Sequence, residues 1–161
     1  MSRAASVDSD AQLARLLQIG AVLEEVVEAR AHRHYRTLPA EERDEEIEAL
    51  LAEAAEESAE HRETLESLVR DLDAEGIPVD QIESLVSEHY SSPGDFDGVL
   101  YDQLNGEETA YKFYDDLVGA IEASDAEFGV DREELLATLR AIREAEAAGV
   151  EEIATLMEDR A

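Results

Sequence analysis

Cysteine is absent from the 161 residues of this chain, and so is tryptophan. The lack of cysteine excludes disulfides, thiol catalysis, cysteine-ligated zinc and iron–sulfur clusters. Proline and glycine are scarce, with 3 and 8 residues, so the chain has few obligatory breaks. Aromatic residues make up only 5%, but hydrophobic residues make up 44%. That hydrophobic share supports a packed core and argues against an intrinsically disordered chain.

Basic residues are also few, with 13 Lys and Arg against 42 Asp and Glu, and the formal net charge is −29. Such a charge repels phosphate backbones and anionic lipid, so we expect no nucleic-acid partner and no membrane partner. The composition resembles that of cytoplasmic proteins from salt-accumulating microbes. Repulsion among surface acids is screened well only at high ionic strength. We therefore expect a halophilic protein that is more stable in molar salt.

Long apolar runs are missing as well. No stretch approaches the ~20 apolar residues that a membrane-spanning helix needs. The N-terminal sequence MSRAASVDSD lacks the apolar centre of a signal peptide. Together these features predict a cytoplasmic location.

The features that are present indicate helices. Ala, Leu, Glu and Arg dominate the composition, and apolar residues recur at spacings of three and four. Start and stop signals divide the chain into four long helices. The first predicted helix begins near Asp8–Asp10 and ends at about Thr37, and the second begins at Pro39 and ends in DLDAEG (71–76). The third runs from Asp95 or Asp97 to about Ser124, and the fourth from Asp131 to Met157.

The lengths of the connections indicate how these helices are arranged. Short links predict that helices one and two, and helices three and four, form antiparallel hairpins. The longer connection, residues 76–95, contains the amphipathic segment VDQIESLVSEHY (79–90) and can cross the bundle end to end. We predict an all-α single domain over residues 1–161, with the bundle core at about 10–158. The simpler up-down bundle stays open from spacing alone.

Each predicted helix places a polar residue on its apolar stripe near its midpoint. An isolated buried carboxylate costs several kcal/mol or becomes neutral, and several that converge repel one another. A divalent cation converts this repulsion into attraction. The pattern therefore predicts a metal site inside the bundle. Its candidate ligands are Glu28, Glu57, His61, Glu107 and Glu146, with Glu24 and His34 as further residues that can reach inward.

Two segments resemble a known superfamily. EARAHRHY (28–35) and EETAYKFY (107–114) each place a tyrosine seven residues after a glutamate. They resemble the first-helix and third-helix signatures of the ferritin-like, rubrerythrin-like superfamily, whose bundles bind two metal ions through a Glu from each of two helices and Glu-x-x-His from each of the others. The resemblance implies an iron or manganese carboxylate site with Glu28 and Glu107 as ligands. It places His61 and Glu146 at the ligand positions of the second and fourth helices.

The chain departs from that pattern at two positions. Ser58 stands where the second-helix glutamate is expected, and Gly149 stands where the fourth-helix histidine is expected. A lopsided dinuclear site, a single-ion site and a bundle that binds no metal all agree with these departures. Gly149 either leaves space for water, dioxygen or a small ligand, or lets two helices approach closely. Arg143, one turn before Glu146, is a candidate ion-pair partner for a core carboxylate.

Two functions of different classes follow. The first is a metalloprotein that holds one or two iron or manganese ions and reacts with oxygen, peroxide or ferrous iron. Its partner is the metal ion, and a homodimer is compatible with it. The second is a non-enzymatic helical scaffold without metal, in which the inward polar groups pair with one another. Iron storage in a cage ranks last, because no feature of the sequence supports it.

Overall fold

The computed structural model describes residues 6–37, 44–74, 80–81 and 98–159. These residues form four helices and, within the described ranges, no strand. The helices are α1 (Asp10–Thr37), α2 (Glu45–Leu72), α3 (Val99–Glu122) and α4 (Arg132–Asp159). The prediction of an all-α four-helix bundle is confirmed. None of the helices in these ranges combines the length and the apolarity that crossing a membrane would require.

Side-chain caps set the starts of three helices. The Ser9 hydroxyl accepts a hydrogen bond of 3.1 Å from the N–H three residues later, and Asp131 accepts one of 3.0 Å at the same spacing. Asp44 accepts from the second N–H after it at 2.8 Å. These bonds satisfy N–H groups that have no partner inside the helix. The predicted start at Asp131 is confirmed, whereas Ser9, and not Asp8 or Asp10, caps α1.

Several other helix boundaries differ from the sequence prediction. α3 ends at Glu122 and not at Ser124, because the N–H of Ser124 bonds to the carbonyl of Ile121 at 3.1 Å and so closes a tighter turn. α4 continues to Asp159, past the predicted end at Met157. α2 begins at Glu45 and α3 at Val99, both later than predicted, because the residues just before them, Asp44 and Gly98, have non-helical backbone angles. The predicted start residues Pro39, Asp95 and Asp97 lie outside the described residues, as does the segment 79–90 apart from residues 80–81.

Contacts near the helix ends fix the helix directions. The N–H of Gly129, just before α4, donates to Asp10 at the start of α1 at 2.9 Å. A Cβ placed on Gly129 would lie 3.7 Å from the carbonyl oxygen of Leu72, the last residue of α2. Val7 donates its N–H to the carbonyl of Ala120, near the end of α3, at 3.3 Å. The start of α1 therefore meets the ends of α2 and α3, so α1 is antiparallel to both.

The connectivity follows from these directions. Since α1 is antiparallel to both α2 and α3, α2 and α3 run in the same direction. Leu72 and Val99 then lie at opposite ends of the bundle, as a long connection between α2 and α3 requires. This is the predicted long crossover; in an up-down bundle α2 and α3 would be antiparallel.

The apolar interior is divided into two clusters. The larger lies towards the end of the bundle where α1 begins, and its fully buried members include Leu13, Leu17, Leu65, Ile121 and Leu139. The smaller lies towards the other end, around Leu51 and Ile153. Buried polar side chains occupy the level between them. The fold therefore places a polar layer at mid-height, enclosed by apolar packing on both sides.

Candidate metal centre

The polar layer takes one or more residues from every helix. Exposure is 0% for Glu24, 7% for Glu107 and 2% for Glu146, and the side chain of His61 is 12% exposed. Each sits on the apolar stripe of its own helix, so helical periodicity alone turns it inward. Contacts of His61 with Glu24 and Glu146, and of Glu146 with Glu107, place the three buried acids and the imidazole at one level of the bundle.

Glu24, His61 and Glu146 bring their donor atoms together. Their potential ligand atoms all lie within 4.8 Å of one another. His61 Nδ1 is 3.4 Å from Glu24 Oε1 and 3.2 Å from Glu146 Oε1. Ligands bound at about 2.0–2.2 Å from one ion are separated by roughly 3–4.2 Å. These three residues can therefore hold a metal ion with little rearrangement.

The Glu24 carboxylate is only half satisfied. Its Oε1 accepts a hydrogen bond of 2.7 Å from the hydroxyl of Tyr114, which is itself fully buried. Its Oε2 is buried and has no hydrogen-bond partner. A buried oxygen without a partner costs about 1–3 kcal/mol. A cation between Glu24 and His61 would remove this cost.

Glu107 lies beside this group on α3. Its Oε1 accepts a hydrogen bond of 3.2 Å from Gln103, one turn earlier, and its carboxyl group is hydrogen-bonded to that of Glu146. A Cβ placed on Gly149 would come within 3.1 Å of the Glu107 carboxyl carbon. The space that the missing side chain leaves is taken by the Glu107 carboxylate. The absence of a side chain at position 149 thus admits a carboxylate, a role that neither sequence interpretation of Gly149 included.

Burial and like charge shift the titration of this cluster. Burial raises the pKa of Glu107 and holds that of Glu146 far above its usual range, helped for Glu146 by its hydrogen bond with Glu107 and the charge of Glu24. Burial alone would lower the pKa of His61, but the hydrogen bond and charge of Glu24 outweigh it, so that pKa is raised. Without a cation the cluster therefore retains protons that a bound metal would displace.

Glu28 lies outside the group that the structure brings together. Its Oε1 accepts a hydrogen bond of 3.2 Å from Arg62, and Glu24 supplies the α1 carboxylate beside His61. Both glutamates fall on the same stripe of α1, one turn apart. The helical pattern therefore identified the correct face of α1. Glu24 and Glu28 differ only in their position along the helix axis, and Glu24 lies at the level of His61 on α2.

Glu57 sits at the edge of the site. Its side chain is 38% exposed, and its Oε1 is 4.0 Å from His61 Nε2. That is the ring nitrogen remote from Glu24 and Glu146. Burial raises the pKa of Glu57, although the charge of His61 opposes the rise. At 4.0 Å this contact is too long for a hydrogen bond, so Glu57 acts on His61 through its charge.

Two other sequence expectations are wrong. Arg143 pairs with Asp115 and Glu144 at the surface, at 3.1 and 3.2 Å, and not with a core carboxylate. His34 does not join the metal cluster; its Nε2 contacts Asp102 at 2.5 Å. Asp102 also pairs with Arg30 and is buried, and the sequence analysis missed it. Its spacing of four and eight residues from buried Gly106 and Ala110 was the available signal.

Comparison with known protein families, with curated proteins and with solved structures gives no match for this chain. Its function therefore has to be inferred from the side chains of the polar layer. What these show directly is a buried carboxylate–imidazole group, Glu24, His61 and Glu146, that can hold a metal ion.

Proposed function

We propose that this chain is a ferritin-like metalloprotein whose core binds one iron or manganese ion through Glu24, His61 and Glu146. The observation that carries the proposal is the buried, unpartnered Oε2 of Glu24, beside an imidazole nitrogen that faces two carboxylates. Protein interiors rarely leave such an oxygen without a partner. A cation supplies that partner and offsets the repulsion among three buried acids.

The arrangement of the remaining residues favours one ion over two. Glu28, the α1 ligand that the superfamily pattern suggests, is paired with Arg62. Ser58 and Gly149 replace two further ligands of a dinuclear site. The guanidinium of Arg62 places positive charge beside Glu28, which disfavours a cation bound there. Glu107 is then a neighbour of the bound ion, held in place by Gln103.

The donor set guides the choice of metal. Two carboxylates and one imidazole form an oxygen-rich set without sulfur, which suits manganese and iron better than copper(I). A bound iron or manganese ion supplies one-electron chemistry towards dioxygen, peroxide or ferrous iron. The protein's own groups position the donors: Tyr114 holds Glu24, and Glu57 faces the far side of His61. Apolar packing above and below the layer limits access of bulk water.

Metal binding can be measured directly. The protein would be purified in molar KCl, freed of metal, loaded anaerobically with Fe(II) or with Mn(II), and desalted before metal analysis. We expect about one equivalent per chain, as for a mononuclear site. His61→Ala and Glu146→Ala should abolish retention, whereas His32→Ala, which changes an exposed histidine of α1, should not. Wild-type protein that retains neither ion would overturn the proposal.

The scaffold function is the second candidate, and the hydrogen bonds within the layer favour it. Tyr114 bonds to Glu24 and Gln103 bonds to Glu107, so several polar groups already pair with one another. If those bonds are the purpose of the layer, replacing Glu146 by glutamine should make the metal-free protein less stable, because it disturbs a hydrogen-bonded layer that is complete without a cation. If the layer binds metal, the same change should remove binding.

A further inference from the structure

We infer that the groove between α2 and α4 is the route by which a divalent cation reaches the core, with Glu53 and Glu152 as its guiding residues. This inference rests on the proposed function and adds to it a pathway and two residues outside the metal-binding group. Its support comes from the shape of the groove, the sign of its charge and the side chain at its inner end.

The outer part of the route is a groove of about 540 Å³. Helices α1 and α2 pack closely, as do α3 and α4, whereas α2 and α4 approach one another less closely and leave this seam open. The floor of the groove is apolar and includes Leu50 and Leu156. Its charged lining is entirely acidic: Glu46, Glu53, Glu151, Glu152 and Asp159.

The inner part is a narrow cavity of about 20 Å³, large enough for about one water molecule or one small ion. It shares Leu50, Glu53 and Glu152 with the outer groove, so the two spaces adjoin at these three residues. Its inner wall is formed by Glu57, Glu107 and Gly149. The route thus narrows from an open groove to the edge of the polar layer.

The inner end of the route is chemically matched to a cation. Glu107, only 7% exposed, is hydrogen-bonded to Glu146 of the metal-binding group. Beyond it lies the unpartnered oxygen of Glu24. A cation that enters the groove therefore meets exposed carboxylates first, then a half-buried one, and finally the buried group.

Electrostatics makes the groove an effective guide. A cleft lined by charges of one sign, with low-dielectric walls, raises the local concentration of counter-ions and speeds association. A second large groove, between α3 and α4, includes Lys112 in its lining and does not reach the polar layer. Glu53 and Glu152 stand at the junction of the outer and inner spaces, so we assign the largest effect on uptake to them.

The inference predicts slower uptake without loss of the site. Mn(II) would be mixed rapidly with metal-free protein, and uptake followed by competition with a fluorescent chelator. The KCl concentration would be the lowest at which every variant keeps its far-UV circular dichroism. Glu53→Gln with Glu152→Gln should lower the association rate about tenfold, the low end of the range for electrostatic steering. The amount of metal bound at equilibrium should stay the same.

Two comparisons make the result decisive. Glu63→Gln with Glu108→Gln removes the same charge from exposed positions elsewhere and should leave the rate nearly unchanged. Glu53→Lys with Glu152→Lys should slow uptake further than the glutamine pair, and added salt should narrow the difference. Equal rates for the groove pair and the control pair, at full metal stoichiometry, would overturn the route alone. A wild-type protein that takes up no metal would overturn the proposed function and the route together.

Discussion

Two polar clusters in this molecule combine acidic and basic side chains in opposite proportions. In the mid-height layer, Glu24, Glu107 and Glu146 share the single imidazole of His61. Between α1 and α3, towards the end of α1, the single buried acid Asp102 meets two bases, Arg30 at 2.7 Å and His34 at 2.5 Å.

The comparison shows that burial alone does not decide the state of a carboxyl group. Burial would raise the pKa of Asp102, but the hydrogen bond with His34 and the charge of Arg30 lower it overall. For Glu146 the neighbours are acids, so they add to the effect of burial and raise its pKa. The cluster at Asp102 is electrostatically complete within the chain, whereas the layer at Glu146 requires protons or a cation.

The largest expected effect on stability comes from removing Asp102, whose cluster is electrostatically complete. Asp102→Ala removes the buried acid that two partly buried bases share, and it should lower the free energy of unfolding by about 3–5 kcal/mol. Denaturant unfolding of the metal-free protein measures this change. Glu122→Ala, which breaks the exposed pair with Arg140, is the control and should cost at most about 1 kcal/mol. Equal costs for the two variants would contradict the assigned role of Asp102.

In the layer around Glu146 of the metal-free protein, a substitution should instead raise the free energy of unfolding. Glu146→Gln keeps the size of the side chain but no longer has to take up a proton when the protein folds at pH 8, so metal-free protein should gain about 1–3 kcal/mol. The same variant should lose metal binding. Glu144→Gln, at an exposed position two residues earlier, is the matched control and should change neither property. A less stable metal-free Glu146→Gln protein would show that the layer is complete without a cation.

The pH dependence of stability should sharpen the contrast. The raised pKa values of Glu107 and Glu146 contribute stability at low pH that is lost as pH rises above the ordinary glutamate range. The raised pKa of His61 acts in the same direction above its ordinary value. Metal-free wild-type protein should therefore lose about 1–2 kcal/mol between pH 5.5 and 8. Plotted against pH, the free energies of unfolding of wild type and Glu146→Gln should converge at the acidic end. Parallel plots would contradict the prediction.

Asp102 should show the reverse pH behaviour. Because its pKa is lowered, it contributes stability above the ordinary aspartate range, and this is lost as pH falls through its folded-state value. The difference between wild type and Asp102→Asn should therefore shrink only below about pH 4. A difference that already disappears near neutral pH would argue against this ion-pair network.

Salt should have the smallest effect on the contrast between the clusters. The net charge of −29 lies mostly on exposed acids, so molar KCl should stabilise the whole protein by at least about 1 kcal/mol through screening. Asp102→Ala and Glu146→Gln should gain nearly the same amount, because their buried charges are screened less. Thermal melts at low and molar KCl test both statements, and the absence of any gain would refute the halophilic interpretation.

Much of the fold could be predicted from local patterns. The four helices were predicted within a few residues wherever the described ranges allow comparison, because helical periodicity and caps are properties of neighbouring residues. The crossover was one of two options until contacts such as Gly129 with Asp10 fixed the helix directions. Of the candidate site residues, His61, Glu107 and Glu146 meet in the polar layer, Glu57 lies at its edge, and Glu28 is paired with Arg62.

By itself the sequence determined four amphipathic helices, the surplus of acid and the helix face on which each inward polar residue lies. Those properties depend on spacings of three and four residues along one helix. Only the tertiary structure decided that Glu24 and not Glu28 contacts His61, and that His34 pairs with Asp102 and not with the polar layer. The physical reason is that periodicity fixes the angle of a side chain around its helix. Its height relative to other helices depends on how all four pack, and no local stretch contains that information.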